Sequence, residues 1–336
     1  MIESISFKNL KALRDTTLPL GPCTVIVGPN GSGKSTVLQA LEAASGRYNP
    51  KYEDIVTVDL RTDDKAVVEI RTRWAALLTG KEGIESLDRW SRTEGHRRGR
   101  DRGAVPCDTE LYGEFLRRIR VFSFEAAAIA ARVAITKQME LGRDGAGLAG
   151  VLTQMQDREP ERFDSLNGEI AQWLPEYDRI LLDNDDAGQR ILALRTRRGQ
   201  HRIPAYGLSQ GTLLSLAMLT LAHLPQPPSL VGLEEPDRGL HPHLLRRVQD
   251  AMYRLSHPES CGEKRPRVQV VATTHSPAFV DLFREHPEEI VVANKSDVDV
   301  QFERLTDRPY FTEILGDAPL GEAWFTGMLG GVPSAS

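Results

Sequence analysis

The chain has 336 residues, 40 % hydrophobic and 26 % charged, an ordinary globular composition with length for two domains or for one large domain carrying an insertion. Its net charge of −5 excludes a global attraction to nucleic acid or membrane, so any such binding must use a local patch. Three dispersed cysteines, Cys23, Cys107 and Cys261, form no C-x-x-C pair and read as reduced structural residues of a cytoplasmic protein. The most apolar helix-like run, Leu213 to Leu224, is too short to span a bilayer.

Met1-Ile2-Glu3-Ser4 opens into strand-like sequence, and no leader peptide is expected from it. Residues 2–20 alternate loosely through Ile5, Phe7, Leu10, Leu13, Leu18 and Leu20, which predicts one or two antiparallel strands. Cys23-Thr24-Val25-Ile26-Val27 is a short β-branched run that reads as a buried strand. It leads into Gly28-Pro29-Asn30-Gly31-Ser32-Gly33-Lys34-Ser35, a full match to the phosphate-loop pattern G-x-x-x-x-G-K-[ST]. From Ser35 and Thr36 onward, Val37, Leu38, Leu41 and Ala44 share one helical stripe, and Gly46 is placed to end the helix. Strand, glycine loop and helix together make a polyphosphate site. Backbone N–H groups turn inward and the helix N-terminus adds partial positive charge. Lys34 would reach the β- and γ-phosphates and the Ser35 hydroxyl would ligate Mg²⁺, so the pattern implies binding of ATP or a related nucleoside triphosphate.

Thr57–Leu60 and Ala66–Trp74 read as a strand pair around the turn Asp63-Asp64. Residues 91–103 form a basic, glycine-punctuated stretch with Arg92, Arg97, Arg98, Arg100 and Arg102 and no apolar period. This reads as a solvated loop, with a phosphate-contacting patch for DNA or RNA as the functional alternative. Residues 110–175 look mostly helical, apart from strand-like Ile119–Phe122. Leu148, Val151, Leu152 and Met155 share one face, and Phe163, Leu166, Ile170 and Trp173 another. No sustained heptad supports a long coiled-coil arm. Asn184-Asp185-Asp186-Ala187-Gly188 reads as a plain turn before a strand at about Arg190–Thr196, since it lacks the spaced ligands of a calcium loop.

Strand and helix then alternate: an apolar helix at 212–224 capped by Ser209, the strand Leu230–Leu233, a helix at 243–256, and strands Val268–Thr273, Glu289–Ala293 and Val298–Phe302. This order predicts an α/β fold with a mostly parallel sheet, helical cover and an antiparallel N-terminal β subdomain. The expected division is a split core, residues 1–75 and 200–336, interrupted by a mostly helical insertion at 76–199. The tail from Gly316, with Trp324, Phe325 and Met328, either packs on the protein's own body or docks a partner.

Four further stretches bear on chemistry. Glu234 and Glu235 end an apolar strand, where one acid can hold Mg²⁺ and its neighbour polarise an attacking water; a solvated turn is the plain alternative. His275, in Thr273-Thr274-His275-Ser276-Pro277, ends the next strand and can hydrogen-bond a γ-phosphate or fix a base, although a surface role would look the same alone. Leu208-Ser209-Gln210-Gly211-Thr212 opens a helix and offers a hydroxyl and an N–H to a phosphate, as any capped helix would. Asp237-Arg238-Gly239-Leu240-His241-Pro242 follows the acids and could be a simple turn.

In this order the stretches resemble the ABC-type ATPases, over roughly residues 1–45 and 200–305. The resemblance implies that Ser209 and Gly211 belong to the signature motif, Glu234 is the Mg²⁺-site acid, Glu235 the catalytic base, His275 the switch histidine and Asp237–His241 the D-loop. Ile5-Ser6-Phe7-Lys8-Asn9-Leu10, Glu234-Glu235-Pro236, Leu240-His241-Pro242 and Thr274-His275-Ser276-Pro277 look like the soluble branch that holds RecF, the SMC heads and the ATPase half of the OLD proteins. Such proteins act on DNA or in phage defence. The sequence departs from the wider family in three places. Glu234 stands where most members carry Asp. The signature reads Ser-Gln-Gly-Thr rather than the transporter Ser-Gly-Gly-Gln. The region expected to hold the Q-loop, Ser123-Phe124-Glu125, contains no Gln.

The resemblance also implies an ATP-sandwiched homodimer, and one loop plus one signature per chain suits a C2 pairing. The expected role is an ATPase whose dimerisation regulates a nucleic-acid-directed partner, a nuclease in a separate chain, in phage defence or DNA repair. A nuclease built in after His275 is disfavoured, because Asp297-Val298-Asp299 falls where the ATPase strands should finish. The alternatives are an ATP-gated DNA clamp and, less well supported, a transporter subunit.

Overall fold

The computed structural model describes residues 1–57, 67–74, 86–92, 99–102, 109–296, 299–309, 311, 316 and 318–330. Arg97, Arg98, Cys107, the turn at Asp63-Asp64 and Asp297-Val298 lie outside these residues. The elements run β1 (Ile2–Leu10), β2 (Leu13–Pro19), β3 (Cys23–Val27), α1 (Lys34–Ser45), α2 (Tyr52–Ile55), β4 (Val68–Trp74), β5 (Ser86–Arg92), β6 (Gly99–Arg102), α3 (Thr109–Arg117) and β7 (Ile119–Phe122). They continue with α4 (Ala126–Ile129), α5 (Leu148–Arg158), α6 (Pro160–Trp173), β8 (Tyr177–Asn184), β9 (Arg190–Thr196), β10 (Arg202–Pro204), α7 (Gln210–Ala222), β11 (Leu230–Glu234) and α8 (Pro242–Ser256). β12 (Gln269–Thr274), α9 (Pro277–Val280), β13 (Ile290–Ser296), β14 (Asp299–Arg304) and α10 (Leu320–Phe325) complete the described chain.

Two compact units emerge: residues 1–121, 228–235 and 266–336 in the first, and 122–227 with 236–265 in the second. The first holds a six-stranded sheet of order β14-β13-β3-β12-β11-β7 and a five-stranded sheet of order β2-β1-β4-β5-β6. In the six-stranded sheet β11, β12, β3 and β13 pair in parallel, and β14 closes one edge antiparallel. Strands buried on both faces need continuous apolar sequence, and β3 and β12 are buried at every position. α1 lays Val37, Leu38, Leu41 and Ala44 into the same core as Ile26, Val271 and Val291. It ends at Gly46, whose φ of 90° suits a residue without Cβ.

The division departs from the boundaries expected from sequence. β5 and β6 extend the sheet of β1 and β4, so part of the expected insertion belongs with the phosphate-loop unit. α7, which opens after Ser209, and α8 belong to the other. The stretch read as a basic loop is flanked by strands, with Arg92 at the end of β5 and Arg100 and Arg102 in β6. Their register sets Asp88 opposite Arg102 and Arg89 opposite Asp101. β4 pairs with β1 and β5, and residues 58–60 of the expected partner strand lie outside the described residues.

The second unit contains the antiparallel sheet β10-β9-β8, so the described part of residues 76–199 holds strands as well as helices, and the strand Tyr177–Asn184 is an addition. Asp185 Oδ1 accepts from Ala187 N at 2.9 Å and Gln189 N at 2.8 Å, which makes the 184–188 stretch a self-capped turn. α7 is buried at every position from Thr212 to Ala222, as an all-round apolar helix requires. His223, 1 % exposed, ends it and lies 2.7 Å from Glu169, which also accepts from Arg254 at 2.6 Å. Burial alone would raise the Glu169 pKa. The His223 hydrogen bond and the Arg254 guanidinium outweigh it and hold the carboxyl below its ordinary range.

In the first unit α10 packs Leu320, Ala323 and Trp324 inward, and Gly321 N donates to Asp281 Oδ1 at 2.6 Å. The described part of the tail, α10, therefore packs on the first unit and leaves Phe325 and Met328 exposed. Among the described residues, no helix is long and apolar enough to cross a membrane.

Gln269, 2 % exposed, ties the start of β12 to the N-terminus. Its Oε1 accepts from Ile2 N at 3.0 Å, and its Nε2 donates to Ile2 O at 2.7 Å and Gly21 O at 2.9 Å. Gln269→Leu keeps the volume and strands these backbone groups. It should lower stability by about 2–4 kcal/mol in urea unfolding, and a loss below about 0.5 kcal/mol would show that water replaces the amide.

Candidate functional site

The cleft is built where β3, β11 and β12 end together. Register sets Glu234 beside Thr273 and Thr273 beside Ile26, so the three connections leaving these strands emerge at one edge. After β3 the chain turns through the phosphate loop. Gly28, at φ 158°, has no room for a Cβ, which would sit 2.7 Å from Ala293 O and 2.9 Å from Ser32 Oγ. Gly33, at φ 79°, is the residue before α1, and a Cβ there would meet Leu13 Cδ2 at 2.6 Å. No side chain caps α1 and its first turn carries no acid, so the helix start is not occupied by the protein's own anions. Ser32 is buried, Thr36 nearly so, and Asn30, Gly31 and Ser35 are exposed.

Lys34 is 6 % exposed, and its ammonium points back into the loop. Nζ donates to Gly28 O at 2.8 Å, Pro29 O at 2.9 Å and Ser32 Oγ at 3.4 Å. Burial lowers its pKa to about 8, although the Glu235 carboxylate pulls the other way.

Glu235 has a backbone φ of 45°, a left-handed conformation for a residue with a Cβ. Its N–H is held by Thr273 O at 3.1 Å, with Thr273 Oγ1 at 3.3 Å. His275 Nε2 lies 3.7 Å from Glu235 Oε1, both side chains being about one-third exposed. The His275 pKa is below its ordinary value, chiefly through burial and secondarily through Lys34, with Glu235 opposing. The ring is therefore neutral near pH 7, one nitrogen donating and one accepting. Thr274 Oγ1 accepts from Ser276 N at 3.0 Å, and Ser276 Oγ from Phe279 N at 3.3 Å, which fixes the turn after His275.

Lys34, Glu235, Thr273 and His275 thus line one cleft of about 340 Å³ with Ala12 and residues Asn30 to Thr36, near the lower end of small-molecule sites and polar enough for a phosphate chain. Glu234 ends β11 half-buried. Sequence reasoning passed over Thr273, whose anchoring role depends on a backbone twist that no residue pattern announces.

Ser209 and Gly211 belong to the second unit and are described within it. Ser209 Oγ accepts from Thr212 N at 3.1 Å and shares a 2.8 Å hydroxyl contact with Thr212 Oγ1, capping α7. The Gln210 side chain rests against Gly239, where a Cβ would sit 2.7 Å from Nε2. The stretch around Ser209 and the Asp237–His241 turn therefore pack on each other. His241 Nδ1 lies 2.8 Å from His243 Nδ1 at the start of α8.

The family model described as "AAA domain, putative AbiEii toxin, Type IV TA system" matches residues 114–281, and one described as an AAA ATPase domain matches residues 1–88. An OLD nuclease of Thermus scotoductus is 50 % identical over 50 residues, 15 % of this chain and 10 % of that protein. The nickel import ATP-binding protein NikO of Rhodobacter capsulatus is 39 % identical over 74 residues, 20 % of this chain and 29 % of its own. These matches span less than a third of either relative. Among solved structures, an Smc head bound to the C-winged helix domain of ScpA superposes with a TM-score of 0.62 at 15 % identity, covering 90 % of this chain and 97 % of that one. The SMC head domain from Thermotoga maritima gives 0.51 at 14 % identity, covering 90 % and 98 %. These two likenesses establish a shared P-loop NTPase head fold. With its model spanning half of the chain, the family described as "AAA domain, putative AbiEii toxin, Type IV TA system" is the one to which the chain belongs.

Proposed function

We propose that the protein hydrolyses ATP with Mg²⁺, and that nucleotide binding closes two copies around two shared nucleotides to govern a nucleic-acid-directed effector. The observation that carries this reading is the convergence of Lys34, Glu235 and His275 on one cleft at the carboxyl edge of a parallel sheet. The loop amides and the Lys34 ammonium bind the phosphates, which take over from the Gly28 and Pro29 carbonyls as partners of Nζ. Ser35 and Glu234 offer the hard oxygen donors that suit Mg²⁺, which when bound neutralises charge on the phosphate oxygens. Glu235 accepts the proton of the attacking water. Neutral His275 donates a hydrogen bond toward the γ-phosphate and keeps the carboxylate placed. The left-handed backbone at Glu235 is the kind of local strain found at working sites.

Ser209 and the Gly211 N–H, at the start of α7, serve the nucleotide of the second copy. One loop and one such helix per chain satisfy both sites through a single C2 interface. The tie to nucleic acid is supported by the resemblance to RecF, SMC and OLD proteins and by the 50-residue match to an OLD nuclease. The arginine-bearing strands β5 and β6 favour a second reading, an ATP-gated DNA clamp. Steeply salt-dependent DNA binding by the isolated protein would support it.

Glu235→Gln should retain ATP binding and lose hydrolysis by roughly a hundredfold or more. In sedimentation with ATP and Mg²⁺ this variant should shift from monomer to dimer, and Ser209→Arg should abolish the shift. A mass that ignores ATP in the Glu235→Gln protein would refute the sandwich, while unchanged hydrolysis would remove Glu235 as the base.

Binding should also depend on pH with a definite sign. The Lys34 ammonium titrates at about 8 without ligand, and bound phosphate holds its proton. Affinity for ATP should therefore be level near pH 7 and fall above about pH 8, by at most roughly tenfold per pH unit. Titrations of a fluorescent ATP analogue that stay flat to about pH 9.5 would contradict this assignment of Lys34.

A further inference from the structure

β13 runs parallel to β3 with Val292 beside Val27, but β3 ends there and β13 continues to Ser296. The overhang travels alongside the phosphate loop, and a Cβ on Gly28 would sit 2.7 Å from the Ala293 carbonyl oxygen. Side chains alternate along a strand. Val291 and Ala293 lie in the core that also holds Val37 and Leu38 of α1, so Lys295, next on that face, is delivered to the α1 side of the sheet. Its Nζ lies 3.4 Å from the point where a Cβ on Gly31 would sit. Lys295 is exposed, and among the described residues it makes no ion pair.

Two ammonium groups thus flank one loop. Lys34 is folded inward onto the Gly28 and Pro29 carbonyls, and Lys295 stands over Gly31 from the solvent side. Like charges placed this way repel unless an anion comes between them, and a nucleotide's phosphate chain supplies several negative charges. Lysine suits the place, as a flexible point charge that can follow the phosphates.

We propose that Lys295 is a second phosphate-binding cation of the cleft, reaching over Gly31 to the phosphates of the bound nucleoside triphosphate. This rests on the reading of the cleft as an ATP site. No loop pattern identifies the residue, because it lies far along the chain and reaches the loop only through the register of β13 on β3.

The test is titration of the full chain with a fluorescent ATP analogue at low and at high salt, for wild type, Lys295→Gln, Lys295→Arg and Lys34→Ala. Lys295→Gln should weaken binding about three- to tenfold at low salt and less at high salt, while Lys295→Arg stays near wild type. The unfolding midpoint should not move, since the side chain is exposed. Equal affinity of Lys295→Gln and wild type at both salts would overturn the proposal and leave the ATP site standing if Lys34→Ala still loses binding. Equal weakening by Gln and Arg would assign Lys295 to hairpin shape and also overturn it. Should Lys34→Ala bind as wild type does, the cleft is not the nucleotide site and both readings fall.

Discussion

The first unit depends on the parallel register of three strands. Ile26, Thr273 and Glu234 stand in one row across β3, β12 and β11, which aligns the ends of strands drawn from distant parts of the chain. Parallel neighbours cannot be joined by tight turns, so the residues between them are available for other structure. The residues at the three strand ends nevertheless meet within a few ångströms. A slip of one residue in β12 would turn every side chain of that strand to the other face, take Thr273 away from Glu235 and move His275 off the cleft.

The acid pair shows how a local break serves that register. Successive residues of a strand face opposite sides, and of the two acids Glu235 lines the cleft. The left-handed φ at Glu235 ends the alternation directly after Glu234, and Thr273 holds the displaced N–H with its carbonyl. Such a conformation costs on the order of 1–3 kcal/mol, which the apolar packing of β11 and β12 can outweigh. The same twist brings Glu235 within 3.7 Å of His275 and gives Lys34 an opposing charge.

Much of this arrangement was legible in the sequence, because its parts are local or periodic. The loop glycines mark positive φ, the β-branched runs mark buried strands, and the stripe of Val37, Leu38, Leu41 and Ala44 marks the face of α1. The basic stretch at 91–103 reads as a loop because its arginines and glycines leave no apolar alternation. β8 was missed because its burial is intermediate at most positions, so no clean alternation survives. The unit boundaries departed from expectation for a related reason. Whether β5 and β6 join the phosphate-loop unit depends on pairing with β4, and one chain read in order does not show which strand will be its neighbour.

The electrostatics of the cleft suit an anion. Lys34 and His275 both have lowered pKa values, burial being the first cause in each, and the charge of Lys34 depresses His275 further. The uncapped start of α1 adds partial positive charge, and Lys295 stands at the rim. Against these, the side chains lining the cleft contribute one carboxylate, Glu235. Each lowered pKa means that the charged form is under-solvated, and a phosphate chain would supply the missing solvation at once. It would raise both pKa values, release the Gly28 and Pro29 carbonyls from Lys34, and put negative charge beside the Glu235 carboxylate. The burial that makes Lys34 costly without a ligand thereby makes it selective for one, since a buried ammonium gains more from a phosphate than an exposed one does.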